Sequence, residues 1–173
     1  MPTVFITGVA GFLGSHLADG FLAKGYKVKG CDSLLGGYRD NVPKGVEFHE
    51  TDCVDLERMT GIMAGSDIIY HCAATAYEGL SVFSPHLVTQ NIVQASVSTF
   101  TAGVRNKVRR IVNCSSMARY GSAQAPFHEK TPTQPQDPYG IGKLAAEDLL
   151  RNIGEVHGVQ WVTAVPHNIY GPR

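Results

Sequence analysis

The sequence lacks an excess of charge of either sign. Its 173 residues include 15 basic and 15 acidic side chains, so the formal net charge is zero. A protein that holds nucleic acid or an anionic membrane surface through its electrostatic field usually carries a clear basic excess. We therefore expect neither of these partners.

Long apolar runs, metal motifs and redox motifs are also missing. No apolar stretch reaches the roughly 18 residues of a membrane-spanning helix, and the N-terminus has no basic region typical of a secretory signal. The four cysteines form no C-x-x-C pair, and the seven histidines form no H-E-x-x-H motif. We expect free, buried thiols in a cytoplasmic protein, and no metal site.

Short apolar segments alternate with segments of helical spacing along the whole chain. The pattern predicts strands near residues 4–6, 26–31, 46–48, 67–71, 110–114 and 159–165, and helices near 12–22, 56–63, 85–102 and 139–156. This alternation is typical of an α/β domain with a parallel sheet covered on both faces. The length favours a single domain over residues 1–173.

A glycine-rich turn follows the first predicted strand, where Gly8, Gly11 and Gly14 are spaced as G-x-x-G-x-x-G. Gly8 would allow a sharp turn, Gly11 would let a pyrophosphate approach the backbone, and Gly14 would let the helix pack against the sheet. The start of the helix would offer free N–H groups to the phosphates. The pattern predicts a dinucleotide site, although a plain strand–turn–helix junction could carry the same glycines.

Asp32 ends the second predicted strand, 18 residues after Gly14. A carboxylate at this place suits a hydrogen bond to the adenosine ribose and would repel a 2′-phosphate. This favours NAD over NADP, although Arg39 follows seven residues later. The alternative is a loop carboxylate or a helix cap.

Tyr139 and Lys143 lie four residues apart on a predicted helix and therefore share one face. An ammonium beside a phenol lowers the phenol pKa, which would make Tyr139 a usable general base. Ser116 follows the fifth strand, at the sheet edge where ligands bind, and could relay a proton to Tyr139. The alternatives are an exposed helix contact for the pair and a turn-capping role for the serines, above all for Ser115.

Together these segments resemble the extended short-chain dehydrogenase/reductase family, in its NAD-dependent epimerase/dehydratase group that acts on nucleotide sugars. They occur in the family's order, at residues 7–14, 32, 52–53, 71–74, 91, 115–121, 138–143 and 168–172. The resemblance implies a Rossmann-type doubly wound parallel sheet of strand order 3-2-1-4-5-6, with helices on both faces. It also implies NAD as the cofactor and three catalytic residues, Ser116, Tyr139 and Lys143.

The resemblance further implies which residues bind NAD. The glycine turn would meet the pyrophosphate, the ends of the second and third strands the adenosine, and the later segments the nicotinamide half. These residues are Gly8, Gly11, Phe12, Leu13, Gly14, Asp32, Ser33, Asp52, Cys53, Ala73, Ala74, Thr75, Asn91, Tyr139, Lys143, Pro166, His167 and Asn168. His167 stands where many relatives have an aromatic residue.

The segment after Ser116 favours an epimerase. Dehydratases of the family carry an Asp-Glu pair there and decarboxylases usually a glutamate, whereas this chain has Met117-Ala118-Arg119. The resemblance therefore implies a nucleotide-sugar 4-epimerase, acting on a UDP-sugar with Tyr139 as the base and transient hydride transfer to bound NAD. A dehydratase, decarboxylase or reductase of the same family, and a non-catalytic NAD(P)-binding module, remain alternatives.

Relatives continue into a smaller C-terminal domain that binds the nucleotide sugar. We expect this chain to hold the NAD-binding domain without that second domain. Family members often pair through the helices that correspond to residues 85–102 and 139–156, so the resemblance allows a homodimer.

Overall fold

The computed structural model describes residues 1–173 and contains a single parallel sheet of six strands. The sheet order is β3-β2-β1-β4-β5-β6, which confirms the predicted Rossmann-type topology. Because the order reverses between β1 and β4, the connections that follow these two strands leave the sheet on opposite sides and open a crevice. The strands are β1 (Thr3–Thr7), β2 (Lys27–Asp32), β3 (Val46–Glu50), β4 (Ile68–His71), β5 (Arg110–Cys114) and β6 (Gln160–Ala164).

Six α-helices connect the strands, and the predicted helices are all present. The structure adds one, α3, which was not predicted because a four-residue helix is too short to show a periodic pattern. The predicted helix 85–102 consists of α4, a π-helix over Gln90–Gln94 and α5. The helices are α1 (Phe12–Ala23), α2 (Leu56–Ile62), α3 (Glu78–Ser81), α4 (Pro85–Thr89), α5 (Ala95–Arg105) and α6 (Pro138–His157). None of them has the length and apolar character that crossing a bilayer requires.

The sheet is buried on both faces, as its apolar strands predict. Successive side chains of β1 point to opposite sides: Phe5 packs in the larger core under α2, α5 and α6, whereas Val4 and Ile6 pack in the smaller core under α1. Each fully buried side chain of this kind stabilises the fold by roughly 1.5–3 kcal/mol. This double layer fixes the carboxyl ends of the strands, where the candidate site lies.

Several apolar side chains stay exposed on or next to the helices through which family members often pair. Phe83, between α3 and α4, is 84% exposed, and Leu87 and Ile141 are 40% and 55% exposed. The homodimer stays a prediction.

All four thiols are free, and they lie in two close pairs. Cys31 and Cys53 are 3.8 Å apart, and Cys72 and Cys114 are 3.6 Å apart, measured between sulfur atoms. Burial was predicted for all four, but Cys72 is only partly buried because it follows the end of β4 at the edge of the crevice.

Candidate active site

A cleft of about 630 Å³ runs along the carboxyl ends of the strands. Its volume lies within the range of roughly 300–1,000 Å³ that is typical of small-molecule sites. Every residue predicted to bind NAD or to act in catalysis lines this cleft. The fold thus brings together segments that are far apart in the sequence.

The glycine turn has the shape that the sequence predicts. Gly8 has a φ of +70°, and a Cβ there would lie 2.8 Å from the main-chain nitrogen of Ala73. A Cβ on Gly14 would lie 2.1 Å from the Gly8 carbonyl oxygen, so only glycine allows α1 to pack this closely. Because no side chain caps α1, the amides of its first turn face the cleft without intrahelical partners. These amides and the open glycine surface fit a pyrophosphate.

Asp32 holds the glycine turn as well as lining the cleft. One carboxylate oxygen accepts a 3.0 Å hydrogen bond from the Ala10 amide, and the other accepts a 2.9 Å hydrogen bond from the Leu34 amide. Each oxygen keeps a second lone pair for a ribose hydroxyl. Arg39 does not line the cleft, because its guanidinium lies over the Phe48 ring at 3.9 Å from the centroid. The charge at this end of the cleft is therefore negative, which fits NAD better than NADP.

Next to the cleft, a chain of buried hydrogen bonds links Thr7, His71 and Ser96. The Thr7 hydroxyl accepts bonds from the two amides that follow His71, so its own proton is donated to His71 Nδ1 at 2.8 Å. The ring proton of His71 is therefore on Nε2, which donates to the Ser96 hydroxyl at 3.0 Å. Burial, with a smaller contribution from the charge of Lys143, lowers the pKa of His71 to about 3. His71 is thus a neutral part of the scaffold that joins β1, β4 and α5.

Tyr139 and Lys143 share one face of α6, as predicted, but the pKa of the phenol is raised and not lowered as the sequence led us to expect. The Lys143 ammonium donates a 2.8 Å hydrogen bond to the Cys114 carbonyl and lies 5.8 Å from the centre of the Tyr139 ring. Burial raises the pKa of Tyr139 above its usual value, although hydrogen bonding from Ser116 opposes the rise. Burial also lowers the pKa of Lys143. The sequence pattern indicates the shared face but not the burial, which is the larger effect.

The turn-capping role that was expected above all for Ser115 belongs to Ser116 in the structure. Ser116, the predicted proton relay, also caps the short turn that follows, because its hydroxyl accepts a 3.1 Å hydrogen bond from the Ala118 amide. Ser115, the expected cap, instead donates its hydroxyl proton to the carboxylate of Glu147 on α6. Glu147 also pairs with Arg119 at 2.6 Å. No sequence motif considered above pointed to Glu147.

Further predicted residues line the cleft after β4, on the π-helix and after β6. Asn91, on the π-helix, donates a 2.8 Å hydrogen bond to the Thr75 hydroxyl. His167 lies beside Phe127, with ring centres 6.2 Å apart, so a neighbouring aromatic ring packs against the imidazole. The cleft is also lined by residues that were not predicted to bind NAD or to act in catalysis, although most of them adjoin predicted ones along the chain. They are Leu35, Gly36, Gly37, Thr51, Cys72, Ala76, Tyr77, Glu78, Ala95, Cys114, Ser115 and Ile169.

The chain is similar in sequence to known UDP-glucose 4-epimerases. The chain is 33% identical over 170 residues to a UDP-glucose 4-epimerase of Streptomyces lividans, which covers 96% of this chain and 52% of that protein. It is 35% identical over 178 residues to a UDP-glucose 4-epimerase of Mycolicibacterium smegmatis, with 97% and 56% covered. The chain thus spans about half the length of the curated relatives it matches.

Solved structures give the same result for the fold. The UDP-glucose 4-epimerase of Brucella ovis, solved in complex with NAD, superposes with a TM-score of 0.91 at 31% identity, covering 95% of this chain and 51% of that one. The UDP-glucose 4-epimerase of Thermotoga maritima, solved with UDP-glucose, gives a TM-score of 0.95 at 28% identity, with 99% and 57% covered. The sequence model of the NAD dependent epimerase/dehydratase family matches residues 4–173. The chain therefore belongs to this family of NAD-dependent enzymes.

Proposed function

We propose that this chain forms the NAD-binding part of a nucleotide-sugar 4-epimerase that acts on a UDP-sugar. The observation that carries the proposal is the cleft itself, in which a glycine turn, the carboxylate of Asp32 and the set Ser116, Tyr139 and Lys143 face one volume. Family membership and the 4-epimerase relatives support the same reaction.

NAD fits the residues that line the cleft. The amides of Phe12 and Leu13 would hold the pyrophosphate, and Asp32 would hold the adenosine ribose. Asp52 and Cys53 line the cleft beyond β3, where the adenine would lie, and Lys143 would hold the nicotinamide ribose. When bound, the cofactor would supply a hydride acceptor and a positive charge beside the phenol.

The protein's own task is to hold and move a proton at the Tyr139 oxygen. Burial keeps the phenol protonated, since the pKa is raised above its usual value. A neighbouring positive charge favours the phenolate, which then takes the proton of the sugar 4-hydroxyl. The Ser116 hydroxyl donates a hydrogen bond to the same sugar oxygen, and the buried Lys143 ammonium stabilises the phenolate.

The residues after Ser116 favour epimerisation over water loss. Met117 and Ala118 provide no acid or base, and Arg119 is held by Glu147. Glu78 on α3 also lines the cleft, however, and its charge is one of those that raise the pKa of Tyr139. A carboxylate there could supply the acid–base group of a dehydratase, which is the second candidate function.

The test joins this chain to the C-terminal half of the Streptomyces lividans epimerase and supplies UDP-glucose. We expect the 4-epimer, UDP-galactose, among the products, and we expect Tyr139→Phe to abolish it while NAD stays bound. The intact S. lividans enzyme is the positive control. A 6-deoxy-4-keto product would show the dehydratase instead. A folded, NAD-loaded chimera without any product, beside an active control, would contradict the proposal.

A further inference from the structure

We propose that Glu147 is a positioning residue of this active site, which ties the loop that carries Ser116 to the helix that carries Tyr139 and Lys143. The inference rests on the function proposed above, because Glu147 would position the three residues that are proposed to act in catalysis. Glu147 does not line the cleft, so it would act through its neighbours rather than on a substrate.

The helical spacing places Glu147 in line with the predicted catalytic pair. Tyr139, Lys143 and Glu147 follow one another at intervals of four residues along α6, and therefore lie on one face. Tyr139 and Lys143 point into the cleft, whereas Glu147, one turn further on, lies under the loop that follows β5. One helix face thus carries both the reacting groups and the carboxylate that anchors the loop.

The carboxylate of Glu147 binds to loop residues on both sides of Ser116. One oxygen accepts the Ser115 hydroxyl proton, and the other pairs with the Arg119 guanidinium at 2.6 Å. The side chains of Glu147 and Arg119 are only 10% and 17% exposed, so water screens this ion pair less than a surface pair. The two contacts hold the segment 115–119 at both ends and leave Ser116 fixed between them.

Breaking the ion pair between Glu147 and Arg119 would leave a largely buried guanidinium without a partner. The Arg119 Nε is already buried without a hydrogen-bond partner, so Glu147 is the acceptor that the structure gives this guanidinium. A buried charge that loses its partner is strongly unfavourable, and the loop would move to solvate it. That movement would carry Ser116 away from Tyr139.

Glu147 also helps to keep Lys143 protonated. The buried ammonium is faced by the thiols Cys72 and Cys114 and by Glu147, and the negative charge of Glu147 favours the protonated form. His71, which also lies near Lys143, is neutral. Tyr139 is faced by Glu78, Asp137 and Cys114 as well as by Ser116. If the ammonium stabilises the phenolate as proposed above, removing the Glu147 charge weakens that stabilisation.

The test compares Glu147→Gln with Asp148→Asn in this chain, saturated with NAD⁺. Asp148 is the matched control because it is the next residue on α6, is 62% exposed and pairs only with Arg151. The readout is the ionisation of Tyr139, followed by near-ultraviolet phenolate absorbance after subtraction of the Tyr139→Phe variant. We expect Glu147→Gln to raise the midpoint by about half to one pH unit, which is a three- to tenfold change in the ionisation constant. Asp148→Asn should leave it within a few tenths of a unit.

The free energy of unfolding, measured on the same variants, separates positioning from a merely structural role. A residue that only stabilises the fold would lower that free energy and leave the Tyr139 midpoint unchanged, which would overturn the proposal. If Glu147→Gln does not fold, Ser115→Ala removes one of the two contacts, and it should shift the midpoint in the same direction. An unchanged midpoint in Ser115→Ala would then overturn the proposal.

Failure of the proposed function would look different. In that case the unsubstituted chain would not bind NAD⁺, or Tyr139→Phe would remove no titration that depends on NAD⁺. An unsubstituted chain that behaves as proposed, beside a Glu147→Gln variant that titrates identically, would refute only the role of Glu147.

Discussion

The Lys143 ammonium donates a 2.8 Å hydrogen bond to the main-chain carbonyl of Cys114, and this contact joins α6 to the end of β5. It places a buried positive charge beside a thiol at the base of the cleft. Hydrogen bonding from Cys72, assisted by the charge of Lys143, lowers the pKa of Cys114 although burial opposes the change. The same contact keeps the ammonium close to the Tyr139 ring.

Cys114 should be the thiol that reports occupation of the cleft. We expect iodoacetamide to alkylate Cys114 before Cys31, because Cys114 lines the cleft and Cys31 is fully buried with a raised pKa. Saturating NAD⁺ should slow the alkylation of Cys114 at least about tenfold, since the thiolate is the reactive form and access is then blocked. Peptide mass spectrometry gives both rates. Equal rates of Cys114 alkylation with and without NAD⁺ would show that the cofactor does not cover this end of the cleft.

Gly14→Ala should weaken NAD⁺ binding by about tenfold or more, because its Cβ would meet the Gly8 carbonyl oxygen at 2.1 Å and push α1 away from the turn. The matched control is Gly20→Ala in the same helix, where a Cβ has nothing within 4 Å. The control should keep its affinity and gain about 0.5–1 kcal/mol in the free energy of unfolding. Isothermal titration calorimetry and urea denaturation measure the two effects. Similar affinities for both variants would mean that the phosphates do not use this turn.

Asp32→Asn should reduce the preference for NAD⁺ over NADP⁺ by about tenfold or more, which corresponds to about 1.4 kcal/mol. The amide can still accept one of the two backbone hydrogen bonds, but it no longer repels a 2′-phosphate. Asp40→Asn, in the loop after β2, is the control and should leave the ratio unchanged. The measurement is the dissociation constant of each variant for NAD⁺ and for NADP⁺. An unchanged ratio of the two constants in Asp32→Asn would assign the preference for NAD⁺ to another group.

The buried imidazole of His71 should make the fold sensitive to acid. Its pKa is lowered from 6.5 to about 3, so between these values the unfolded chain binds a proton that the folded chain does not. Stability therefore falls as the pH decreases below about 6.5, by about 2 kcal/mol at pH 5 from this group alone. His71→Gln should remove this part of the pH dependence, whereas the exposed His128→Gln should not. Parallel pH profiles for the protein and for His71→Gln would contradict the assignment.

The sequence predicts the alternation of strands and helices and the place of the cleft because both follow from local patterns. The glycine spacing at residues 8–14 and the shared helix face of Tyr139 and Lys143 are set by a single turn and a single helix. The strand order 3-2-1-4-5-6 came from the family resemblance and is confirmed.

Features that depend on packing between distant segments were not predictable in the same way. The contact of Glu147 with Ser115 joins residues 32 positions apart and has no local signal. The raised pKa of Tyr139 depends on how deeply α6 is buried, which residue spacing does not reveal. The π-helix over Gln90–Gln94 widens one turn without a change in composition, so the sequence predicted a continuous α-helix there.

The most direct test of the central claim is to denature the purified protein and identify the nucleotides it releases by mass spectrometry. An epimerase must keep its cofactor through a full catalytic cycle, so the account predicts NAD, released in equal amounts from the protein and from Tyr139→Phe. Release of NADP would contradict the assignment of Asp32 and the epimerase. A protein that releases no nucleotide, and that also fails to bind added NAD⁺, would contradict the account as a whole.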